Sequence, residues 1–117
     1  MHEVSIAQDI LDLLEAEMGV PGLLSEVELE IGPLSGVHPE ALDFCFPVVA
    51  RERGFGSPTL RIHRVPVLLL CEACSERWSS DDVFGTCPRC GAHRRTVLSG
   101  DEMRLVGALM MEEPSHV

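Results

Sequence analysis

The stretch CEACSERWSSDDVFGTCPRCG, residues 71–91, holds four of the chain's five cysteines as two C-x-x-C pairs. Each pair places two thiols on one tight turn, and twelve residues separate the pairs, which allows the two turns to face each other. Four thiolates at the corners of a tetrahedron suit Zn²⁺, which has no redox chemistry and no geometric preference of its own. We therefore predict a structural zinc site formed by Cys71, Cys74, Cys87 and Cys90.

Other metal chemistries fit the same segment less well. Iron in a rubredoxin-like electron carrier is the alternative metal, but the segment lacks the aromatic-rich core that such proteins usually have. A catalytic zinc ion needs an open coordination position, and four cysteines leave none. His93 is a substitute ligand in principle, but beside Arg94 and Arg95 it is predicted to be an exposed loop residue.

Two amphipathic segments precede the cysteines. Apolar residues at helical spacing predict a first helix over residues 5–18, with a capping box at Ser5 and Gln8. Its apolar positions are Ile6, Ile10, Leu13, Leu14 and Met18. Pro39 suits the first position of a second helix and leaves His38 at its cap.

The second helix carries one irregularity and one further cysteine. Its predicted buried stripe is Leu42, Cys45, Phe46 and Val49. Pro47 removes one helical hydrogen bond, which predicts a kink or a distorted final turn. Cys45 lies within the stripe, and we interpret it as a buried, inert thiol.

Three stretches alternate between apolar and polar residues and predict strands. In EVELEIG, residues 26–32, the apolar positions face one side and three glutamates face the other. TLRIHRV and DEMRLVGALM predict two more strands, and a strand-helix-strand unit makes the first two parallel. The predicted fold is α+β, with a small three-stranded sheet, two helices and an inserted zinc-ribbon-like domain. Its domains are residues 1–65, completed by 97–113, and the zinc-binding residues 66–96.

The charge distribution restricts the choice of partner. The net charge is −10, and residues 1–50 contain ten acidic residues and no Lys or Arg. Such a surface repels phosphate backbones, so we expect no nucleic-acid partner. It attracts cations or a basic protein surface, although a solvated acidic face is the plainer interpretation.

Several functional classes have no signal in this chain. The longest apolar run, Val65 to Leu70, includes a proline and is too short to cross a bilayer. No signal-peptide pattern opens the chain, which predicts a cytoplasmic protein. A Gly-rich phosphate loop and a Ser-His-Asp arrangement are both lacking, so we predict that the protein is not an enzyme.

The amino terminus MHEVSIA offers a second group of metal ligands. The terminal amine, the His2 amide and the His2 imidazole lie close enough together to chelate one metal ion. Glu3 adds a negative charge beside such a cation. The alternative is a surface histidine next to a helix-capping glutamate.

Four motifs together resemble the HypA/HybF family of nickel metallochaperones for hydrogenase maturation. They are MHEVSIA, LEIGPLSGVHPEALDF, the C-x-x-C…C-P-x-C-G cluster and GDEMRL, which cover most of the chain in order. The resemblance implies a nickel-binding α/β domain with a nickel site at His2 and Glu3, and a separate zinc domain. A usually acidic position of that site corresponds to His38 here, which makes His38 a third candidate ligand. Pro47 also departs from the family pattern.

The resemblance further implies a function and its partners. The protein would carry Ni(II) at its N-terminus and deliver it to the hydrogenase large subunit precursor, together with a HypB-type GTPase. The zinc would be structural and the nickel transported. The alternative is a zinc-ribbon adaptor that binds protein without nickel transfer, and homodimer formation and supply of urease are left open.

Overall fold

The computed structural model describes residues 2–19, 22–80 and 85–111. Within these ranges the chain forms two α-helices, a short 3-10 turn at Pro33–Ser35 and six strands. The elements are α1 (His2–Met18), β1 (Leu24–Ile31), α2 (Pro39–Glu52), β2 (Thr59–Arg64), β3 (Val67–Cys71), β4 (Arg77–Ser80), β5 (Arg95–Ser99) and β6 (Met103–Met110). The α+β class predicted from the sequence is confirmed.

The first sheet has three strands, the number that the sequence predicted, and their order is β2-β1-β6. Arg61 pairs with Glu26 at 3.1 Å, and further along the Val65 N–H donates to the Ile31 carbonyl at 3.0 Å. These two contacts advance in the same direction along β1 and β2, as the predicted parallel pairing requires. Because β1 is central, it contributes buried residues to the core: Leu24, Val27, Leu29 and Ile31.

Strand β6 runs along the other side of β1 in the opposite direction. The Gly32 N–H donates to the Glu102 carbonyl at 2.8 Å, and the Met111 N–H donates to the Leu23 carbonyl at 2.9 Å. The predicted alternation along β6 weakens towards its end, because Leu109 is exposed rather than turned into the core.

Helix α1 begins earlier than the sequence predicted. Ser5 is its fourth residue and therefore does not cap it, so the capping-box prediction is wrong. Glu3 lies in the first turn, where a negative charge interacts favourably with the helix dipole. The buried positions Ala7, Ile10, Leu11 and Leu14 recur at helical spacing, whereas Leu13, predicted to be buried, is 56% exposed.

Helix α2 continues past its internal proline. Pro47 is not in the final turn, because the helix ends only at Glu52. Pro47 removes only one backbone donor from the helix, and the packed stripe holds the rest together. That stripe consists of Leu42, Phe46, Val49 and Ala50. Cys45, predicted to be fully buried, is half-buried.

The cysteine segment contains a sheet of its own, which the sequence analysis did not predict. Its order is β4-β3-β5, and β3 pairs antiparallel with both neighbours. Strand β5 runs to Ser99, beyond residue 96, and Gly100 follows with φ +113. A Cβ atom on Gly100 would lie 2.9 Å from the Val67 Cα, so only glycine fits this close approach.

The chain divides into two compact units. The first contains residues up to Leu29, His38–Ile62 and residues from Leu105 onward. The second contains Glu30–Val37 and His63–Arg104. Across the described ranges, neither helix combines the length and apolar character that a membrane span requires.

Candidate metal centres

The two C-x-x-C turns have the same backbone hydrogen bonds. The Ser75 N–H donates to the Cys71 carbonyl at 3.0 Å, and the Gly91 N–H donates to the Cys87 carbonyl at 2.9 Å. One residue further on, Glu76 and Ala92 accept from the backbone N–H groups of Cys71 and Cys87. Both turns therefore close on their first cysteine in the same way. Ser75 and Gly91 occupy equivalent positions with positive φ, 66° and 76°.

Backbone amides of each turn point at the sulfur of its first cysteine. The Cys71 Sγ accepts from the N–H groups of Ala73 and Cys74, each at 3.4 Å. The Cys87 Sγ accepts from the N–H groups of Arg89 and Cys90 at 3.4 and 3.5 Å. Such donors favour a thiolate over a thiol, which is the form that binds a metal ion.

The four sulfur atoms lie within 4.8 Å of one another. The distance is 3.6 Å both between the Sγ atoms of Cys71 and Cys90 and between those of Cys74 and Cys87. This is too long for a disulfide bond, and the cysteines are free. Four sulfurs about 2.3 Å from one Zn²⁺ at tetrahedral corners are about 3.8 Å apart. The cluster therefore fits a structural zinc site.

The thiol pKa values reflect these contacts. The Cys74 N–H lowers the pKa of the Cys71 thiol, which is about 7 even though burial acts in the opposite direction. Burial raises the pKa of the Cys87 thiol, but the N–H groups of Cys90 and Arg89 bring it below its ordinary value. The second cysteines also accept backbone amides, Cys74 from Glu76 and Cys90 from Ala92, but contacts with neighbouring sulfurs and burial leave the pKa of both thiols raised.

The cluster is closed on one side and open on the other. Cys71 and Cys87 are buried, Cys74 is half-buried and Cys90 is exposed. His93 is exposed, as predicted, and does not belong to the group of clustered ligand atoms. Its carbonyl accepts a hydrogen bond from Arg95 Nη1 at 2.7 Å.

At the amino terminus, the structure places two of the candidate nickel ligands in the first turn of α1. His2 is exposed and is the first residue of the helix, and Glu3 follows as a half-buried residue. The amine of Met1, the third group of the predicted chelate, lies outside the described residues.

Glu3 connects α1 to the start of α2. Its Oε2 accepts a hydrogen bond from the His38 backbone N–H at 3.3 Å. Two of the three candidate ligand residues, 35 positions apart in the chain, therefore meet at the N-terminal ends of the two helices.

The His38 side chain caps α2, as the sequence predicted. Its Nδ1 accepts a hydrogen bond from the Ala41 N–H at 3.3 Å, and in this contact Nδ1 carries no proton. The same nitrogen lies 3.5 Å from Glu40 Oε2. The sequence analysis did not name Glu40. Its position two residues after the capping His38 could have indicated that the two side chains lie close together.

The candidate nickel ligands do not form a compact cluster. Within the described ranges, the four cysteines are the only group of three or more His, Cys, Asp or Glu residues whose ligand atoms lie within 4.8 Å of one another. Glu3 and His38 are joined by one hydrogen bond, but His2, Glu3 and His38 do not have the geometry of a finished metal site. Burial, and to a smaller extent the negative charge of Glu3, raises the pKa of the Cys45 thiol.

Comparison with known families and proteins gives consistent matches. The family model described as "Hydrogenase/urease nickel incorporation, metallochaperone, hypA" matches residues 1–109. The chain is 42% identical over 107 residues to the hydrogenase maturation factor HypA of Albidiferax ferrireducens, a match covering 90% of this chain and 95% of that protein. It is 40% identical over 105 residues to the factor of the same name from Geobacter metallireducens, covering 90% and 94%.

Two solved structures have a similar fold. One is the solution structure of the Ni metallochaperone HypA from Helicobacter pylori, with a TM-score of 0.61 and 24% identity, covering 95% of this chain and 98% of that one. The other, described as the solution structure of HypA protein, has a TM-score of 0.66 and 25% identity, covering 97% and 98%.

Proposed function

The chain belongs to the HypA family of hydrogenase maturation factors and nickel metallochaperones, and we propose that it delivers Ni(II) from its N-terminus to the hydrogenase large subunit precursor. It acts as a carrier and not as an enzyme. The observation that supports this proposal most directly is the hydrogen bond from the His38 N–H to Glu3, which joins two candidate ligand residues at one end of the helix pair.

We propose that His2, Glu3 and His38 hold the nickel ion. Ni²⁺ favours nitrogen and oxygen ligands, which these side chains supply. The amine of Met1 and the His2 amide add nitrogen donors in the chelate inferred from the sequence. Because His2 is exposed on the first turn of α1, its imidazole is accessible to an ion from solution.

His38 serves this site in one of two arrangements. In the first, Nδ1 accepts from Ala41 and caps α2. In the second, Nε2 binds nickel, and the ring proton then resides on Nδ1, where it can be donated to Glu40 Oε2 at 3.5 Å. A carboxylate that accepts the second ring N–H is the usual partner of a metal-binding histidine. Nickel binding would then cost about 1 kcal/mol of lost capping, which favours release.

We propose that Cys71, Cys74, Cys87 and Cys90 bind the structural zinc ion. Residues 66–96 form the zinc-binding part, with β5 extending its sheet to Ser99, and residues 1–65 with the chain from 97 to 113 contain the nickel-binding part. Zinc binding of this kind contributes directly to folding, on the order of 10 kcal/mol in small zinc modules. The exposed edge at Cys90 does not make this a catalytic site, because four protein sulfurs leave no position for substrate.

The proposed carrier works in the cytoplasm with a HypB-type GTPase and the hydrogenase large subunit precursor. Four cysteines that bind zinc as thiolates and form no disulfides suit a reducing compartment. The acidic residues of the first 50 positions favour a partner with a basic surface.

Calorimetric nickel titration of three proteins tests the proposal: the native chain with a free amino terminus, His2→Ala, and a chain with a few residues added before Met1. We expect one tight nickel site in the native chain, and loss of that site in both variants with zinc content unchanged. Native affinity should fall as the pH is lowered, because protonated imidazole cannot bind a metal ion. Equal binding in all three proteins would refute the proposal, and zinc without nickel would favour the adaptor.

A further inference from the structure

Helix α2 carries an unusually exposed apolar pair. The Phe44 side chain is 84% exposed and that of Val48, one turn later, is 48% exposed. We call these two residues the α2 pair. Burial of a side chain such as Phe is favourable, and the described part of this chain leaves that contact unused.

The helix geometry shows that the monomer cannot bury this pair by itself. Leu42 and Phe46 are both fully buried, and Phe44 lies two residues from each. At 100° per residue, it therefore points about 160° away from both. Turning Phe44 inward would expose Leu42 and Phe46, so no described residue of this chain buries the pair, which is available to another molecule.

The charges around the pair favour one kind of occupant. Glu40 and Asp43 are exposed and lie within one turn of Phe44, whereas Arg51 lies one turn beyond Val48. Glu52, also one turn beyond Val48, is exposed as well, so the charge around the pair is net negative. A second copy of the chain would carry the same net negative charge, whereas a partner with basic side chains would be attracted.

The pair lies close to the proposed nickel site. His38 precedes Phe44 by six residues, which is about 9 Å along a helix axis. Glu3 accepts its hydrogen bond from that same His38. A protein that covers Phe44 and contacts Glu40 would therefore have its surface beside the groups proposed to hold nickel.

We propose that Phe44 and Val48 anchor the protein that accepts nickel from this chain, through an apolar pocket bordered by basic side chains. This inference rests on the proposed function and adds to it the surface from which nickel is transferred. A buried aromatic anchor ringed by polar contacts is the usual arrangement of a binding hot spot. Phe44 supplies most of the affinity, and Glu40 and Asp43 accelerate the encounter.

The test measures binding of the nickel-loaded chain to the purified HypB-type GTPase and to the purified large subunit precursor. Phe44→Ala should weaken binding to the accepting protein about tenfold or more, and Val48→Ala should weaken it less. Asp43→Asn should slow association and reduce its dependence on salt. Leu13→Ala is the matched control, because Leu13 of α1 is 56% exposed and its replacement should change affinity less than about twofold.

Nickel titration and circular dichroism of each variant separate docking from metal binding. Phe44→Ala should retain its fold and bind nickel as the native chain does. A Phe44→Ala variant that binds both proteins within twofold of the native chain would overturn the inference, as would a native chain that binds neither. Self-association that Phe44→Ala abolishes would assign the pair to a second copy instead. If the native chain docks through Phe44 but binds no nickel, the proposed function fails while the docking surface stands.

Discussion

Ser75 and Gly91 occupy equivalent positions in the two cysteine turns. Replacing Ser75 with glycine should relieve backbone strain in one turn, and replacing Gly91 with serine should introduce it in the other. Both have positive φ, 66° for Ser75 and 76° for Gly91. An L-residue in this region costs about 1–2 kcal/mol, which glycine avoids. Glycine in turn costs about 0.4–1 kcal/mol through the greater freedom of the unfolded chain. Ser75→Gly should therefore stabilise the turn by about 0.5–1 kcal/mol net, and Gly91→Ser should destabilise it by a similar amount.

The open space around Gly91 allows the backbone cost of its replacement to be measured without a steric contribution. A Cβ atom built at this position has no heavy atom within 4 Å, so the cost of serine comes from the backbone alone. Because zinc binding is coupled to folding, the same free energies appear in zinc affinity. They correspond to about a two- to fivefold gain for Ser75→Gly and an equal loss for Gly91→Ser.

Competition with a colorimetric zinc chelator at fixed pH measures both changes. Ser79→Gly is the control, because Ser79 lies in β4, where its φ is not positive and glycine only weakens the strand. If zinc affinity fell in Ser75→Gly as it does in Ser79→Gly, the turn at Ser75 would carry no backbone strain that glycine can relieve. The reasoning would then be wrong.

Two further predictions concern the metal ligands. Cys71→Ala should lose stoichiometric zinc and protection of residues 66–96 from proteolysis, while the far-ultraviolet signal of α1 and α2 changes little; retained zinc and protection would contradict the four-cysteine site. His38→Asn should preserve the cap of α2, because asparagine is a good N-cap, but should weaken nickel binding at least severalfold. Glu40→Gln should produce a smaller loss of nickel affinity, and calorimetry that finds native affinity in both variants would leave His38 only its capping role.

Much of the fold follows from periodicity and proline positions. Strand β1 was predictable because Val27, Leu29 and Ile31 alternate with glutamates along a half-buried strand. Pro39 marked the start of α2 because the first helical position needs no backbone donor. The start of α1 was misplaced because Ser5 and Gln8 imitate a capping box inside the helix. Tertiary packing, which buries Ala7 and Leu11, decided the helix face instead.

The sites were predictable to different extents. The cysteine cluster is encoded in local spacing, since each C-x-x-C turn closes on itself through its own backbone hydrogen bonds. The second sheet was missed because β4 and β5 are short and their residues are mostly half-buried or exposed. The contact between Glu3 and the His38 N–H joins residues 35 positions apart, and no local sequence pattern predicts such a contact.

The two candidate metal centres suit different tasks: the cysteine cluster suits retention of its ion, and the proposed nickel site suits release. The four sulfurs of the cysteine cluster already lie at distances close to those of a bound zinc ion, so little reorganisation opposes binding and the ion is retained. The His38 Nδ1 accepts from Ala41 in a capping contact, and Glu40 Oε2 lies 3.5 Å from the same nitrogen. In the proposed nickel site, each bound ion would displace this hydrogen bond, and each release would restore it. A carrier needs this property, because an ion held as firmly as structural zinc could not be transferred to the protein that receives it.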